Sequence, residues 1–395
     1  MAILFLEPGT AATQDFSFFG STFTNFGTIT SDSTKAHTGG RSIKCDVTQV
    51  GGSAIATLPI NSGPQAGSVI SCWVFFSSVA PSTATGFLTL NRNSDGTNAI
   101  AVSLSTGGKL SVQGNNSSTV KTGTTQLVAN TWYRVSVGYV VTSTSNWSVT
   151  VYLNGVSEVT TSNADGTLSI ANIDQWVVGV YGGAGSLPNS SSIITIWFSD
   201  IYIDNRTDKT DPGNISVTAK RPFANGTTNG FTTQIGAGGS GYGSGHAPQV
   251  NEHPLSTTNG WSILVVASSI TEEYNIEGAG VGDVNLAGAT LVGVMGWMYS
   301  KSSLTETDNI IVDGTSTGKS VTNANAMFTQ MSATPTTYPA GTGADIGMST
   351  NTTAATASLY ECGVLIAYYP MIQSTFAPHV RPFPFTPGSP SLSRF

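Results

Sequence analysis

The nearest thing to an acid–base pair in this chain is the run Glu272-Glu273-Tyr274-Asn275-Ile276-Glu277. Cleaving a glycosidic bond needs two carboxylates roughly 5 to 9.5 Å apart across the bond. In an extended strand Glu273 and Glu277 share a face, but the strand rise sets them about 13 Å apart. No catalytic pair is expected there, and the run is assigned to an exposed edge or loop. Gly236-Ala237-Gly238-Gly239-Ser240-Gly241 spells a dinucleotide fingerprint, yet the glycine-rich text continues through Gly245 with no helix to receive a phosphate. A flexible loop that offers a contact surface is expected. The histidines His37, His246, His253 and His379 include no pair at metal-ligand spacing; His246 and His253, flanking Glu252, are expected to be ordinary loop residues. Cys45, Cys72 and Cys362 each lie in an apolar strand-like run and are expected to be buried, unbridged thiols.

Binding chemistry has more material. Sugars present apolar faces and many hydroxyls, so a glycan site needs aromatic platforms rimmed by amides. Trp147, Trp176 and Tyr242 are the candidate platforms and Asn115-Asn116 the candidate amides, although most such aromatics belong in cores. The sequon Asn116-Ser117-Ser118 is expected by chance in so polar a composition and implies no glycosylation.

Composition dictates the elements that must position these groups. The 395 residues include 45 glycines, 15 Lys and Arg, and 22 Asp and Glu, for a net charge of −7. Too few helix formers remain for long solvated helices, and the abundance of Thr, Val and Gly points to an all-β chain. The negative balance, with no basic run, argues against nucleic acid as a partner. Met1–Glu7 carries neither a basic leader nor a span-length apolar stretch; a first strand is expected there, with no signal peptide and no membrane insertion.

Period-two alternation marks strands over 41–48, 68–77, 87–91, 99–105, 132–141, 147–153, 176–181 and 193–203. A second series runs over 215–219, 231–235, 261–267, 273–277, 291–300, 309–313 and 358–368, while 321–331 fits a short helix as well as a strand. Between the two series, 204–213 packs Asp204, Arg206, Asp208, Lys209 and Asp211 before a Pro-Gly. The halves repeat one order: a long apolar strand, a strand ending in Asn154-Gly155 or Asp313-Gly314, a short strand opened by Asp, and a long closing strand. The expectation is two tandem jelly-roll β-sandwich domains, 1–206 and 214–370, joined by a 207–213 linker. After Pro370, prolines punctuate an extended arm over 371–395 whose Phe376, Arg381, Phe383, Phe385, Arg394 and Phe395 are expected to anchor on a partner.

Three stretches of the first half carry a resemblance: Gly39-Gly40-Arg41-Ser42-Ile43, Trp132-Tyr133-Arg134-Val135 with Val151-Tyr152-Leu153-Asn154-Gly155, and Phe198-Ser199-Asp200-Ile201-Tyr202-Ile203. They resemble the concanavalin A-like lectin and glucanase jelly rolls, including the laminin-G-like members. The glucanase branch would imply a Glu-x-Asp-x-x-Glu strand, which no window here matches; Asn275 stands where the Asp would be. The laminin-G-like branch implies calcium at a loop rim, for which Asp95, Asp165 and Asp174 are the candidates. No other cofactor is implied. The low-charge, Ser/Thr/Gly-rich composition also resembles bacteriophage virion proteins. Three functions therefore compete: a virion structural protein of a surface decoration, tail or fibre; a carbohydrate-binding adhesin; and a glycoside hydrolase. The first is preferred, placing the chain in a virion with copies of itself and other virion proteins as partners, and host surface glycan as a further one.

Overall fold

The computed structural model describes residues 3–7, 21–38, 41–59, 65–92, 97–115, 120–181, 192–231, 233–235, 260–264, 269–278, 285–312, 315–322, 326–331, 342–350 and 355–370. Asp95, Asn116, Tyr242, His246, His253 and the whole 371–395 arm lie outside these residues. What is described is almost entirely antiparallel strand, interrupted by a single 3-10 turn at Asn163–Asp165.

Strands from residues 3–204 build two sheets. The first runs, in spatial order, Val156–Ser162, Asn146–Leu153, Trp132–Ser143, Gly67–Phe76, Ile194–Asp204, Ser42–Val47 and Gly27–Asp32, with Ile3–Glu7 also paired to Ile194–Asp204. The second runs Lys121–Thr122, Leu110–Gly114, Asn98–Leu104, Thr85–Asn91, Gln175–Tyr181, Ser53–Pro59 and Ser21–Asn25. Alternation decides which residues enter the core between them. Tyr133, Val135, Val137 and Tyr139 point inward from one strand, and Ile70, Cys72, Val74 and Phe76 from its neighbour. Burying each such side chain stabilises the fold by about 1.5–3 kcal/mol.

Residues 216–369 build two more sheets. One orders Thr233–Ile235, Gly260–Leu264, Thr356–Tyr369, Thr290–Ser302 and Ala326–Met331, with Ser216–Lys220 paired to Thr356–Tyr369. The other orders Pro222–Asn229, Thr271–Glu277, Thr342–Ser349, Glu306–Val312 and Thr315–Val321. Tyr274, Ile276, Ile310, Val312, Val364 and Ile366 form the core between them. The opposite face of the third sheet is apolar too: Val217, Met295, Trp297, Leu365 and Ala367 join the core cluster of the first half.

The repeated strand order does not carry over to sheet membership. Asn146–Leu153 hairpins onto Trp132–Ser143 within one sheet, whereas Thr290–Ser302 and Glu306–Val312 enter different sheets. Sequence order is local, while sheet assignment is set by distant partners. The segment left open between helix and strand is strand, ending one element at Val321 and forming Ala326–Met331.

The charged 204–213 stretch is a strap across the outer face of the first sheet. Lys209 donates to Ser148 Oγ at 2.6 Å, and Arg134 grips Asp211 through both terminal nitrogens at 2.7 and 2.8 Å. Gly138 lets the strap lie flat, since a Cβ there would come within 2.6 Å of the Lys209 carbonyl oxygen.

Cys45, Cys72 and Cys362 are buried, and none is disulfide-bonded. Burial pushes the Cys45 and Cys72 thiols far above the ordinary range, because the thiolate would be stranded in an apolar core. All three should resist a thiol-reactive disulfide reagent in the native protein and react fully in denaturant. Fast native labelling of any one would place it at the surface.

Candidate functional site

The first sheet buries its inner residues and lays a row of aromatics on its outer face. Register puts Trp132 opposite Phe75, Phe75 opposite Trp197, Trp197 opposite Lys44 and Lys44 opposite Thr30, so five strands contribute one line of side chains. Ring centroids lie 5.4 Å apart for Phe75 and Trp132 and 5.3 Å for Phe75 and Trp197. Phe75 and Trp197 are buried yet belong to neither core, and Trp132 is half-exposed. This is a separate aromatic cluster on the open side of the sheet, beyond the end of the 204–213 strap.

A polar row runs along each side. On one, Thr195 donates to Asp46 Oδ1 at 2.6 Å and Lys44 lies 3.7 Å from Asp46 Oδ2. On the other, Trp73 carries His37 stacked upon it, with centroids 3.7 Å apart, and the edge of His37 meets Trp132 at 5.8 Å. Residues 33–38 reach over the row from its flank. The Lys35 ammonium sits 5.0 Å from the centre of the Phe75 ring, and the Lys35 carbonyl accepts from Ser42 Oγ. Asp32 anchors the start of this segment, accepting from the Trp197 indole at 2.8 Å and from both Thr34 donors at 2.7 Å. Burial alone would raise the Asp32 carboxyl; the Thr34 and Trp197 hydrogen bonds, helped by Lys44, outweigh it and hold it below the usual value.

Asp200 fixes His37. It has φ of 52°, a left-handed conformation that Asp tolerates better than most residues, and it sits where the register between Ile194–Asp204 and Gly67–Phe76 shifts. The bulge turns a fully buried carboxylate toward both the site and the second half. Its Oδ2 accepts from Thr38 and from His37 Nδ1 at 3.0 Å, and its Oδ1 accepts from the Val217 amide at 2.8 Å. Because a carboxylate only accepts, Nδ1 carries a proton toward Asp200, and the His37 side chain remains partly exposed.

The residues chosen from sequence as sugar platforms are elsewhere. Trp147 and Trp176 are 2% and 0% exposed, with indoles donating to Gly166 O and Ser68 Oγ, so both are core residues. Each shares parity with inward valines of its strand. Asn115 is consumed in holding a loop: its amide donates to Asn98 O and Ser169 Oγ and its oxygen accepts from Ser169 N. Asn116 and Tyr242 lie outside the described residues.

Of the calcium candidates, Asp165 already has both carboxylate oxygens engaged. Asp165 Oδ1 pairs with Lys121 at 2.8 Å, and its Oδ2 accepts from Thr161 and from Ser162 N in a capping box. The Lys121 contact leads in holding that carboxyl below its usual value. Asp174 follows Ile173 at the start of the Gln175–Tyr181 strand with its amide bonded to Asn91 O, and Asp95 lies outside the described residues. Among the described residues no group of three or more His, Cys, Asp or Glu could hold a metal ion.

The Glu272–Glu277 run is not an edge or loop. Thr271–Glu277 lies inside the fourth sheet, between Pro222–Asn229 and Thr342–Ser349. Glu273 and Glu277 are half-buried on its outer face, while Glu272 is buried and accepts from Phe231 N at 2.9 Å.

No family model matches this chain, and no curated protein matches it. Among solved structures, the cellulose-induced protein Cip1 is 15% identical over 46% of this chain and 87% of its own, with a TM-score of 0.34. An endo-β-1,4-glucuronan lyase from Trichoderma reesei is 13% identical over 53% and 99%, with a TM-score of 0.40. The binding domain of botulinum neurotoxin serotype D is 12% identical over 52% and 49%, with a TM-score of 0.34. Likeness at this level specifies neither a family nor an activity.

Proposed function

We propose that this chain is a carbohydrate-binding β-sandwich protein whose binding face is the outer side of its first sheet at Trp132. The supporting observation is the Trp132, Phe75 and Trp197 row, packed outside both cores and flanked by Lys44, Asp46, Thr195 and His37. A half-exposed indole beside fixed hydrogen-bonding groups suits the apolar face and hydroxyls of a pyranose. His37, oriented by Asp200, would hydrogen-bond a sugar hydroxyl. Binding rather than hydrolysis is proposed, because no window of the sequence matches the Glu-x-Asp-x-x-Glu strand of the glucanases.

On a glycan array the native protein should bind a restricted set of glycans, and Trp132→Ala should weaken that binding about 10-fold or more, as loss of an aromatic anchor does. Far-UV spectra of the two proteins should coincide, since Trp132 lies outside the cores. Undiminished binding by Trp132→Ala would move the site away from this row.

A structural component of a bacteriophage particle is the second reading, compatible with a receptor-binding role. It is favoured by the low-charge composition and by an apolar edge: Phe23, Phe26 and Val50 are 56%, 60% and 58% exposed beside the edge strands Ser21–Asn25 and Gly27–Asp32. Open strand edges invite a neighbouring chain. An array without binders, together with concentration-dependent self-association, would favour this reading over the first.

A further inference from the structure

Resting on the glycan-binding reading, we propose that the ligand is an acidic glycan whose carboxylate or sulfate groups are met by Lys35 and Lys44 along the aromatic row. Lys35 holds its ammonium against the Phe75 ring, and among the described residues no carboxylate pairs with it. The same holds for Arg41, whose Nε donates to Ser31 Oγ at 2.7 Å. Three of the chain's 15 basic residues thus fall within 35–44, in a protein of net charge −7.

The acidic groups nearby are already engaged, and Asp46 Oδ2 lies 3.7 Å from Lys44. Both Asp32 oxygens are taken by Thr34 and the Trp197 indole, Asp46 Oδ1 by Thr195, and Asp200 is buried beneath His37 and Thr38. Lys35 and Arg41 are thus the cations of the row without a carboxylate partner among the described residues, while Lys44 is shared with Asp46. A cation seated on a ring is partly dehydrated, which strengthens its attraction for an incoming anion. Lys44 stands two strands from Phe75, about 10 Å at the usual strand spacing, so the two cations bracket Trp197. A chain of charged sugars laid across the strands would meet cation, ring and cation in turn.

The test uses the full chain in calorimetric titrations with oligogalacturonate, its methyl ester, dextran sulfate and neutral dextran. The acid should bind about 10-fold or more tightly than its uncharged ester, with affinity falling as salt rises. Lys35→Gln should erase most of that preference, and Lys35→Arg should keep it. Unchanged denaturant midpoints would show that both variants fold. Tighter binding of dextran sulfate than of oligogalacturonate would assign the anion as sulfate, and the reverse as carboxylate. Equal affinity for acid and ester, or full preference in Lys35→Gln, overturns the acidic-ligand inference. If neutral glycans still bind and Trp132→Ala abolishes that binding, the glycan-binding reading survives alone. Should no glycan bind, charged or neutral, both fall together.

Discussion

Asp200→Ala is expected to destabilise the protein by about 3 kcal/mol, because one buried carboxylate satisfies three donors from two distant parts of the chain. Its removal strands the Val217 amide, which is buried in the seam with the second half, and releases Thr38 and His37 from the first. The stranded amide accounts for most of the loss, since Thr38 and His37 are half-exposed and water can reach them. Alanine at φ of 52° adds about 1 kcal/mol of backbone strain that Asp tolerates better. Asn keeps an acceptor for the Val217 amide and also tolerates the left-handed conformation, so Asp200→Asn should lose less than half as much. Chemical denaturation followed by tryptophan fluorescence gives the ranking. If both variants unfold at the native midpoint, Asp200 does not hold the seam. Both should also weaken glycan binding, since His37 loses the partner that orients it.

Much of this arrangement was legible in the order of residues. Alternation located the long strands at 67–76, 132–143 and 194–204 to within a residue or two, because one face of each had to be apolar. It also held information that the choice of sugar platforms did not use. Trp147 shares parity with Val149 and Val151, and Trp176 with Val178 and Val180, which already assigns both indoles to the core. Trp132, Phe75 and Trp197 stand on the opposite parity from Val135, Val74 and Ile196, so a second, outer aromatic face was written into the strands. Its assembly into one row depends on which strands become neighbours, and no local pattern specifies that. His37 and Asp200 are 163 residues apart, and an isolated histidine carries no sign of its partner. Asp200 did leave a trace: after inward Phe198 and outward Ser199, a charged residue at the next inward position requires either a buried partner or a bulge, and the structure supplies both. The halves' repeated order failed as a guide to topology for the same reason, since sheet membership is a long-range property.

Arg134→Ala is expected to cost about 3 kcal/mol at neutral pH, because it leaves the Asp211 carboxylate partly buried without its cation. Arg134 also donates to the Gly213 carbonyl, so the substitution loosens the strap at two points. The pH dependence follows from the Asp211 carboxyl. Burial by itself raises that group, but hydrogen bonds from Arg134 and Ser136 and the Arg134 charge outweigh burial and hold it below its ordinary value. A carboxyl depressed in the folded state contributes stability that is fully present above its unfolded value, about 3.9, and is lost as pH falls through the folded value. The gap between native and Arg134→Ala midpoints should therefore be constant near neutrality and shrink below about pH 4. A gap that does not change with pH would mean that Arg134 acts through packing alone. Replacing the pair together, with Arg134→Met and Asp211→Leu, should recover much of the loss, because apolar residues of similar size avoid the cost of dehydrating two charges. The recovered protein would keep the strap over Gly138 and leave the Trp132 end of the sheet open, so its glycan binding should match the native protein's.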